Sequence, residues 1–153
     1  MNLELTVNGK TVVHEVPAEE LLIDFLRDRL DLRGTKISCE VQVCGACTVL
    51  VDGEPVSSCC YLAADADGRE VLTIEGLREQ ERFVRLEDAF TRHAAVQCGF
   101  CTPGLLLTIA SLEASGELSD DAAIRHGLAG NLCRCTGYRG ILEAVRDIAG
   151  IAE

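Results

Sequence analysis

The chain has 153 residues, with 14 basic and 25 acidic side chains and a formal net charge of -11, which suits one ordinary domain or two small ones. Such an acidic surface argues against binding to nucleic acid or to an anionic membrane. The least polar stretch, 104–112, is too short to span a bilayer, and the first residues lack the basic and apolar segments of a secretory signal. We therefore expect a cytoplasmic protein without membrane insertion.

The first half of the chain is predicted to be rich in β-strands. Residues 3–7 alternate apolar and polar, Asn8-Gly9 is typical of a hairpin turn, and 11–16 returns as a second strand. Apolar residues between Leu21 and Leu30 recur at helical spacing. Further strands are predicted at 48–51, 55–58 and 71–74, with a turn at 52–53. Two strands, a helix and further strands are the order of a ferredoxin-like β-grasp domain.

The second half is predicted to be helical from about residue 85 onwards. Thr102 is a suitable N-cap, Pro103 suits the first helical position, and that helix should end at Gly116. Other helices are expected around 86–90, after the Ser-Asp-Asp sequence at 119–121, and after Gly137. The predicted fold class is therefore α+β, with a 2Fe-2S ferredoxin-like domain at 1–76 and a helical, four-helix-bundle 2Fe-2S domain at 77–153.

Four of the nine cysteines form a first set, Cys39, Cys44, Cys47 and Cys59. The intervals of four and two residues, followed by a distant fourth cysteine, match the spacing of plant-type 2Fe-2S ferredoxins. Zinc is the alternative, but zinc ligands usually come as two CxxC-like pairs. In the absence of an export signal, metal ligands are favoured over disulfides. Cys60 is left over and is expected to be a thiol outside the ligand set.

A second set consists of Cys98, Cys101, Cys133 and Cys135. Cys101 directly precedes the predicted helix start, and the Cys133–Cys135 pair precedes the last helix. The N–H groups and positive dipole end of a helix favour a thiolate, so two helix starts could serve one anionic cluster. Spacing alone leaves zinc open at this site. A non-redox, zinc-stapled interaction module is therefore one rival to an iron–sulfur protein.

Three segments carry a resemblance to a known family. Residues 97–104 (QCGFCTPG) and 131–138 (NLCRCTGY) closely resemble the iron–sulfur subunit of the molybdenum hydroxylases, that is, the xanthine oxidase, aldehyde oxidase and carbon monoxide dehydrogenase family. Residues 44–53 (CGACTVLVDG) resemble the ferredoxin-like half of the same subunit. The resemblance covers essentially the whole chain in order.

This resemblance implies an electron-transfer subunit with two 2Fe-2S clusters and no catalytic site of its own. A large partner subunit would bind molybdopterin, and a medium subunit would usually bind FAD, giving a heterotrimer. The set containing Cys98 would hold the cluster proximal to molybdenum, with Gln97 and Cys135 approaching the pterin. The set containing Cys39 would hold the distal cluster. The substrate of such an enzyme would be an N-heterocycle or an aldehyde.

The chain departs from the family pattern around its first cysteine. That loop is usually glycine-rich in the family, whereas here Ser38 precedes Cys39 and residues 40–43 read EVQV. Glycine would allow positive φ and close approach of backbone N–H groups to sulfur, so the hydrogen bonding of this loop is in question. A free-standing two-cluster ferredoxin is the other rival, and it would present a polar surface around both clusters.

Overall fold

A five-stranded mixed sheet forms the first half of the molecule in the computed structural model, which describes residues 1–151. Its strands follow one another in space as β2-β1-β5-β3-β4. The hairpin pairs β1–β2 and β3–β4 are antiparallel, whereas β5 enters between them, parallel to β1 and antiparallel to β3. The strand bounds are β1 Asn2–Val7, β2 Lys10–Glu15, β3 Thr48–Val51, β4 Glu54–Ser57 and β5 Glu70–Leu72.

Apolar residues alternate along β1, so that one face of this strand packs on the core. Leu3, Leu5 and Val7 are buried, whereas the residues between them lie on the opposite face. The two hairpin turns have positive φ at both central residues, as the tight turns between twisted antiparallel strands require. The helix predicted between Leu21 and Leu30 is present in two parts. It begins as α1, Leu22–Asp24, and continues as a π-helical turn, Phe25–Arg29.

Five helices follow the sheet: α2 Ile74–Arg78, α3 Glu81–Arg92, α4 Thr102–Ser115, α5 Asp121–Gly127 and α6 Arg139–Ala149. The last four are the predicted helices, and the expected α+β class is confirmed. As predicted, α4 ends at Gly116, which has φ 75°, and Asp120 caps α5 by accepting the Ala123 N–H. No helix among residues 1–151 has the length and apolarity needed to cross a membrane.

Two boundary predictions were wrong. Strand β5 ends at Leu72 instead of continuing to Ile74, which is the first residue of α2. The reason is a long-range contact: the Thr73 N–H donates to the side-chain oxygen of Asn8, 65 residues away, and the chain turns there. Thr102 is also not the N-cap of α4, because it is already helical and Cys101 precedes it as the cap residue.

The apolar side chains form two main cores. One lies between the sheet and α1 and includes Leu5, Phe25 and Val71. The other lies among the helices and reaches back to Leu50 and Ile74 of the first half. Helix α4 packs on β3. The domain boundary that the sequence predicts after residue 76 stays a prediction.

Candidate metal centres

The first cysteine set comes together at one end of the sheet. Cys39, Cys44 and Cys47 lie on the loop before β3, and Cys59 lies in the 3₁₀ turn Ser58–Cys60 after β4. Their thiols meet in two pairs, because Cys39 contacts Cys44 and Cys47 contacts Cys59. Cys60 is exposed, and its sulfur lies 3.8 Å from that of Cys59. Cys60 is therefore next to the set, as a fifth thiol.

Backbone N–H groups surround the Cys39 sulfur despite the absence of glycine between Cys39 and Cys44. The amides of Val43 and Cys44 both donate to this sulfur at 3.4 Å. Glu40 and Gln42 make this possible by adopting φ of 55° and 58°, the left-handed conformation that glycine would take without strain. Hydrogen bonds from the amides of this loop, with Val41 contributing most, lower the pKa of the Cys39 thiol to about 6. The loop is therefore arranged to stabilise a thiolate.

The second set lies where two loops of the helical half meet. Cys98 and Cys101 precede α4, and Cys133 and Cys135 lie between α5 and α6. The sulfurs of Cys98 and Cys135 are 3.5 Å apart, and Cys101 contacts Cys133. The Thr136 hydroxyl donates to the Cys133 sulfur at 3.2 Å. Although burial raises the pKa of Cys133, this hydroxyl and nearby amides lower it to about 7.

Burial favours the neutral thiol form of Cys47 in the first set and of Cys101 in the second. Burial raises the pKa of Cys47 to about 11 and that of Cys101 to about 12. A metal ligand must be the thiolate, so binding of iron at these positions would release protons. In the first set Cys47 and Cys59 are buried, and in the second set Cys101 and Cys133 are less exposed than Cys98 and Cys135.

The donor sets fit 2Fe-2S clusters. Such a cluster is held by four cysteine thiolates, two on each of its irons, and the eight thiols meet as four pairs. A structural zinc site would instead gather four ligands around one ion. Each set brings four thiols together, which is the number of cysteine ligands that a 2Fe-2S cluster needs.

Both sets reach the surface beside exposed apolar side chains. Cys98 and Cys135 are exposed, as is the neighbouring Gln97. We call the apolar residues around this edge the second-set patch, and it consists of Val96, Phe100 and Leu132, which are 44–50% exposed. The first-set patch consists of Ile37, Val41, Val43 and Leu62, which are 37–65% exposed. Exposed apolar clusters of this kind mark surfaces that contact other molecules.

Sequence reasoning gave no role to Asn131, which joins the two sets, or to Tyr138, which braces the loop of the second set. Asn131 is 5% exposed, and its side-chain nitrogen donates to the Gly45 carbonyl oxygen of the first loop. Tyr138 has φ 67°. Its hydroxyl lies between the backbone carbonyl oxygen of Asn131 and the backbone nitrogen of Cys133. Both residues lie within the segment 131–138, and their closeness to the cysteines was the available signal.

A cleft of about 670 Å³ lies between α5 and α6. Its charged lining comes from Arg125, Arg139, Arg146 and Glu143, and no cysteine lines it.

Comparison with known proteins agrees with this geometry. Residues 5–73 match the family described as 2Fe-2S iron-sulfur cluster binding domain, and residues 73–146 match the 2Fe-2S binding domain. The gamma subunit of caffeine dehydrogenase from Pseudomonas sp. strain CBB1 is 44% identical, covering 99% of this chain and 92% of its own. The iron-sulfur-binding subunit of xanthine dehydrogenase from Escherichia coli O157:H7 is also 44% identical, covering 96% and 93% respectively.

The crystal structure of quinoline 2-oxidoreductase from Pseudomonas putida 86 has a chain with the same fold. It superposes with a TM-score of 0.90 at 46% identity, over 97% of this chain and 92% of that one. Similarity at this level, over nearly the whole of both chains, shows common membership in one family. The chain belongs to the iron–sulfur subunits of the molybdenum hydroxylases, the xanthine oxidase family, and is a subunit of an oxidoreductase complex.

Proposed function

We propose that the chain is the electron-transfer subunit of a molybdopterin-dependent hydroxylase, and that its two cysteine sets connect the molybdenum centre to a flavin or another acceptor. The observation that carries this proposal is the arrangement of the two sets. Each reaches the surface at its own apolar patch, and a hydrogen bond joins the two loops, because the Leu132 N–H donates to the Cys44 oxygen at 2.8 Å. A chain with two such openings can face two partners at once.

The second-set patch is the proposed contact with the large, molybdopterin-binding subunit. Cys98, Cys101, Cys133 and Cys135 would hold the proximal 2Fe-2S cluster. Gln97 and Cys135 are exposed at this edge, where an amide side chain and a ligand sulfur could contact the pterin of the partner. A free-standing ferredoxin would not need the apolar rim formed by Val96, Phe100 and Leu132.

The first-set patch is the proposed side of the acceptor, an FAD-binding medium subunit in a heterotrimer. Cys39, Cys44, Cys47 and Cys59 would hold the distal 2Fe-2S cluster. When bound, each cluster would accept and release one electron at a time. The residues of this chain fix the positions of the clusters, keep water from the buried sulfurs of Cys47 and Cys59, and supply the amides around Cys39.

For the substrate of the assembled enzyme, we propose an N-heterocyclic compound. Caffeine, xanthine and quinoline, after which the compared enzymes are named, are all nitrogen heterocycles. Aldehydes are the second class that the family resemblance implies. The choice between them would be made by the large subunit, which binds the substrate.

Purification of a tagged chain from its native host tests this function. We expect about four irons per chain and two distinct 2Fe-2S signals in electron paramagnetic resonance (EPR) spectra after dithionite reduction, together with molybdenum and FAD in the same complex. Iron and molybdenum without FAD would remove the flavin subunit from the proposal. An iron-loaded monomer without molybdenum would indicate a free-standing ferredoxin. Colourless protein that contains zinc and no iron would contradict the electron-transfer function.

A further inference from the structure

We propose that Asn131 is a positioning residue that clamps the two cysteine loops together and thereby sets the rate of electron transfer between the two clusters. The inference rests on the proposed function, because it requires a cluster in each set. Asn131 is not a ligand and belongs to the loop of the second set. Its side chain crosses to the loop of the first set.

The contact between the loops is direct and short. The Leu132 N–H donates to the Cys44 oxygen at 2.8 Å, so a single hydrogen bond joins a residue of the first set to the neighbour of Cys133. Electron transfer between two centres slows steeply as their separation grows, and it is faster through bonds and hydrogen bonds than through a gap. The bond between Cys44 and Leu132 is therefore a short link between the two sets.

The side chain of Asn131 holds this contact closed. Its nitrogen donates to the Gly45 oxygen at 3.2 Å and lies 3.4 Å from the hydroxyl oxygen of Thr48. The Thr48 hydroxyl in turn donates to the same Gly45 oxygen at 2.7 Å. Asn131 and Thr48 are both buried, and the Gly45 oxygen also accepts the Thr48 N–H at 3.2 Å. Of these three donors, only the Asn131 amide comes from the loop of the second set.

The packing around Gly45 shows how closely the loops approach. A Cβ atom on Gly45 would lie 2.3 Å from the Gly130 oxygen, and a Cβ on Gly104, in the first turn of α4, would lie 2.2 Å from the Gly45 oxygen. Neither position has room for a side chain. The two loops are in backbone contact, and the amide of Asn131 is the polar side chain that fastens that contact.

The position of Asn131 is transmitted to a ligand. The Tyr138 hydroxyl donates to the backbone carbonyl oxygen of Asn131 at 3.0 Å and accepts the Cys133 N–H at 2.8 Å. A shift of Asn131 would therefore move the backbone of Cys133 as well as release Gly45. This places Asn131 between residues that flank both clusters, at Cys44 and at Cys133.

The test compares two isosteric changes in the full complex. Asn131→Asp replaces the amide donor by an acceptor. Asn8→Asp does the same at the amide that donates to Thr73, which joins the ends of β1 and β5 and lies on neither cysteine loop. Electrons are delivered by a photoexcited reductant, and their equilibration between the clusters is followed spectroscopically, with iron counted per chain. We expect equilibration to be about tenfold slower in Asn131→Asp, the lower end of the loss in activity that follows removal of a hydrogen-bond partner behind metal ligands, and unchanged in Asn8→Asp.

A second, uncharged variant keeps the test decisive. Thr48→Val removes the hydroxyl that Asn131 contacts without adding charge, and a slower equilibration is expected there too. Equal rates in wild type, Asn131→Asp and Thr48→Val, with both clusters present, would overturn the inference. An equally slow equilibration in Asn8→Asp would also overturn it. If Asn131→Asp loses a cluster, a wild-type rate of equilibration in Thr48→Val would overturn it as well. A wild-type complex without two iron clusters would instead contradict the proposed function, and the inference with it.

Discussion

The hydroxyl oxygen of Tyr138 lies 2.8 Å from the backbone nitrogen of Cys133 and accepts its N–H. The same hydroxyl donates to the backbone carbonyl oxygen of Asn131. One side chain therefore satisfies two backbone groups of the loop that carries the second set. Tyr138 holds this position with φ 67°, which is uncommon for a residue other than glycine. The loop between α5 and α6 is therefore shaped by a hydroxyl group that is not itself a ligand.

Tyr138→Phe should weaken the loop without removing a ligand. It leaves the Cys133 N–H and the Asn131 oxygen without their partner, and because the site is half-buried we expect a loss of about 1 kcal/mol in the free energy of unfolding. Thermal unfolding together with iron retention during storage would measure this. Tyr61→Phe is the matched control, because its hydroxyl donates to the Asp65 oxygen in an exposed turn. Equal effects of the two changes would contradict a special role of Tyr138.

Cys135→Ser should damage the second cluster and spare the first. Its sulfur pairs with that of Cys98 at 3.5 Å, and a serine oxygen is a poor substitute for a thiolate. In the reduced complex, one of the two EPR signals should be lost or altered, and turnover should fall. Cys60→Ser removes a thiol outside the eight proposed ligands and should leave both signals unchanged. Loss of a signal in Cys60→Ser would show that the ligand assignment of the first set is wrong.

Gly45→Ala should be more damaging than a glycine change elsewhere with the same backbone conformation. Gly45 has φ 68°, and an added Cβ would lie 2.3 Å from the Gly130 oxygen. Gly53 has φ 88° with open space around it. We expect about 1–2 kcal/mol of destabilisation in Gly53→Ala from strain alone, and about 1–3 kcal/mol more in Gly45→Ala from the clash. Chemical denaturation would measure the free energy of unfolding of both variants. Similar decreases in the two variants would contradict the close contact of the loops.

Glu40→Gly should stabilise the loop around Cys39. Glu40 has φ 55°, so glycine would relieve strain of about 1 kcal/mol, partly offset by the greater freedom of glycine in the unfolded chain. Glu54→Gly, in β4, gives the control and should destabilise by about 0.5–1 kcal/mol. The measurement is the thermal unfolding midpoint of each variant. A destabilised Glu40→Gly would mean that the glutamate side chain makes a contribution that outweighs the strain.

Acid should remove the stabilising contribution of Asp147. A hydrogen bond with His93 and the charge of Arg92 lower the pKa of this carboxyl group. A lowered pKa in the folded state stabilises the protein above the ordinary pKa, and this contribution is lost as pH falls through the lowered value. Asp147→Asn should therefore be less stable than wild type at neutral pH, with a difference that shrinks between about pH 5 and pH 2. Denaturation at several pH values, with the exposed Asp88→Asn as control, would measure it, and a constant difference would contradict the prediction.

The sequence alone determined the fold class and the location of most elements. Alternating residues such as Leu3 and Leu5 and the tight-turn pair at 52–53 depend on local physics, and the structure places them as expected. The spacing of the cysteines also predicted their division into two sets. Strand β5 ends earlier than the sequence predicts, because the Thr73 N–H donates to the side chain of Asn8, which is distant in sequence. Nothing in the local sequence indicates this contact.

Only the tertiary structure decided how the two sets relate to each other and to the surface. Contacts such as those from Asn131 to Gly45 and from Leu132 to Cys44 join positions more than 80 residues apart, and no spacing rule predicts them. The absence of glycine between Cys39 and Cys44 left the hydrogen bonding there in question, and the structure shows that Glu40 and Gln42 adopt the left-handed conformation that glycine favours. Local propensity fixes which elements form, whereas the packing of α4 and the cysteine loops fixes what those elements bring together.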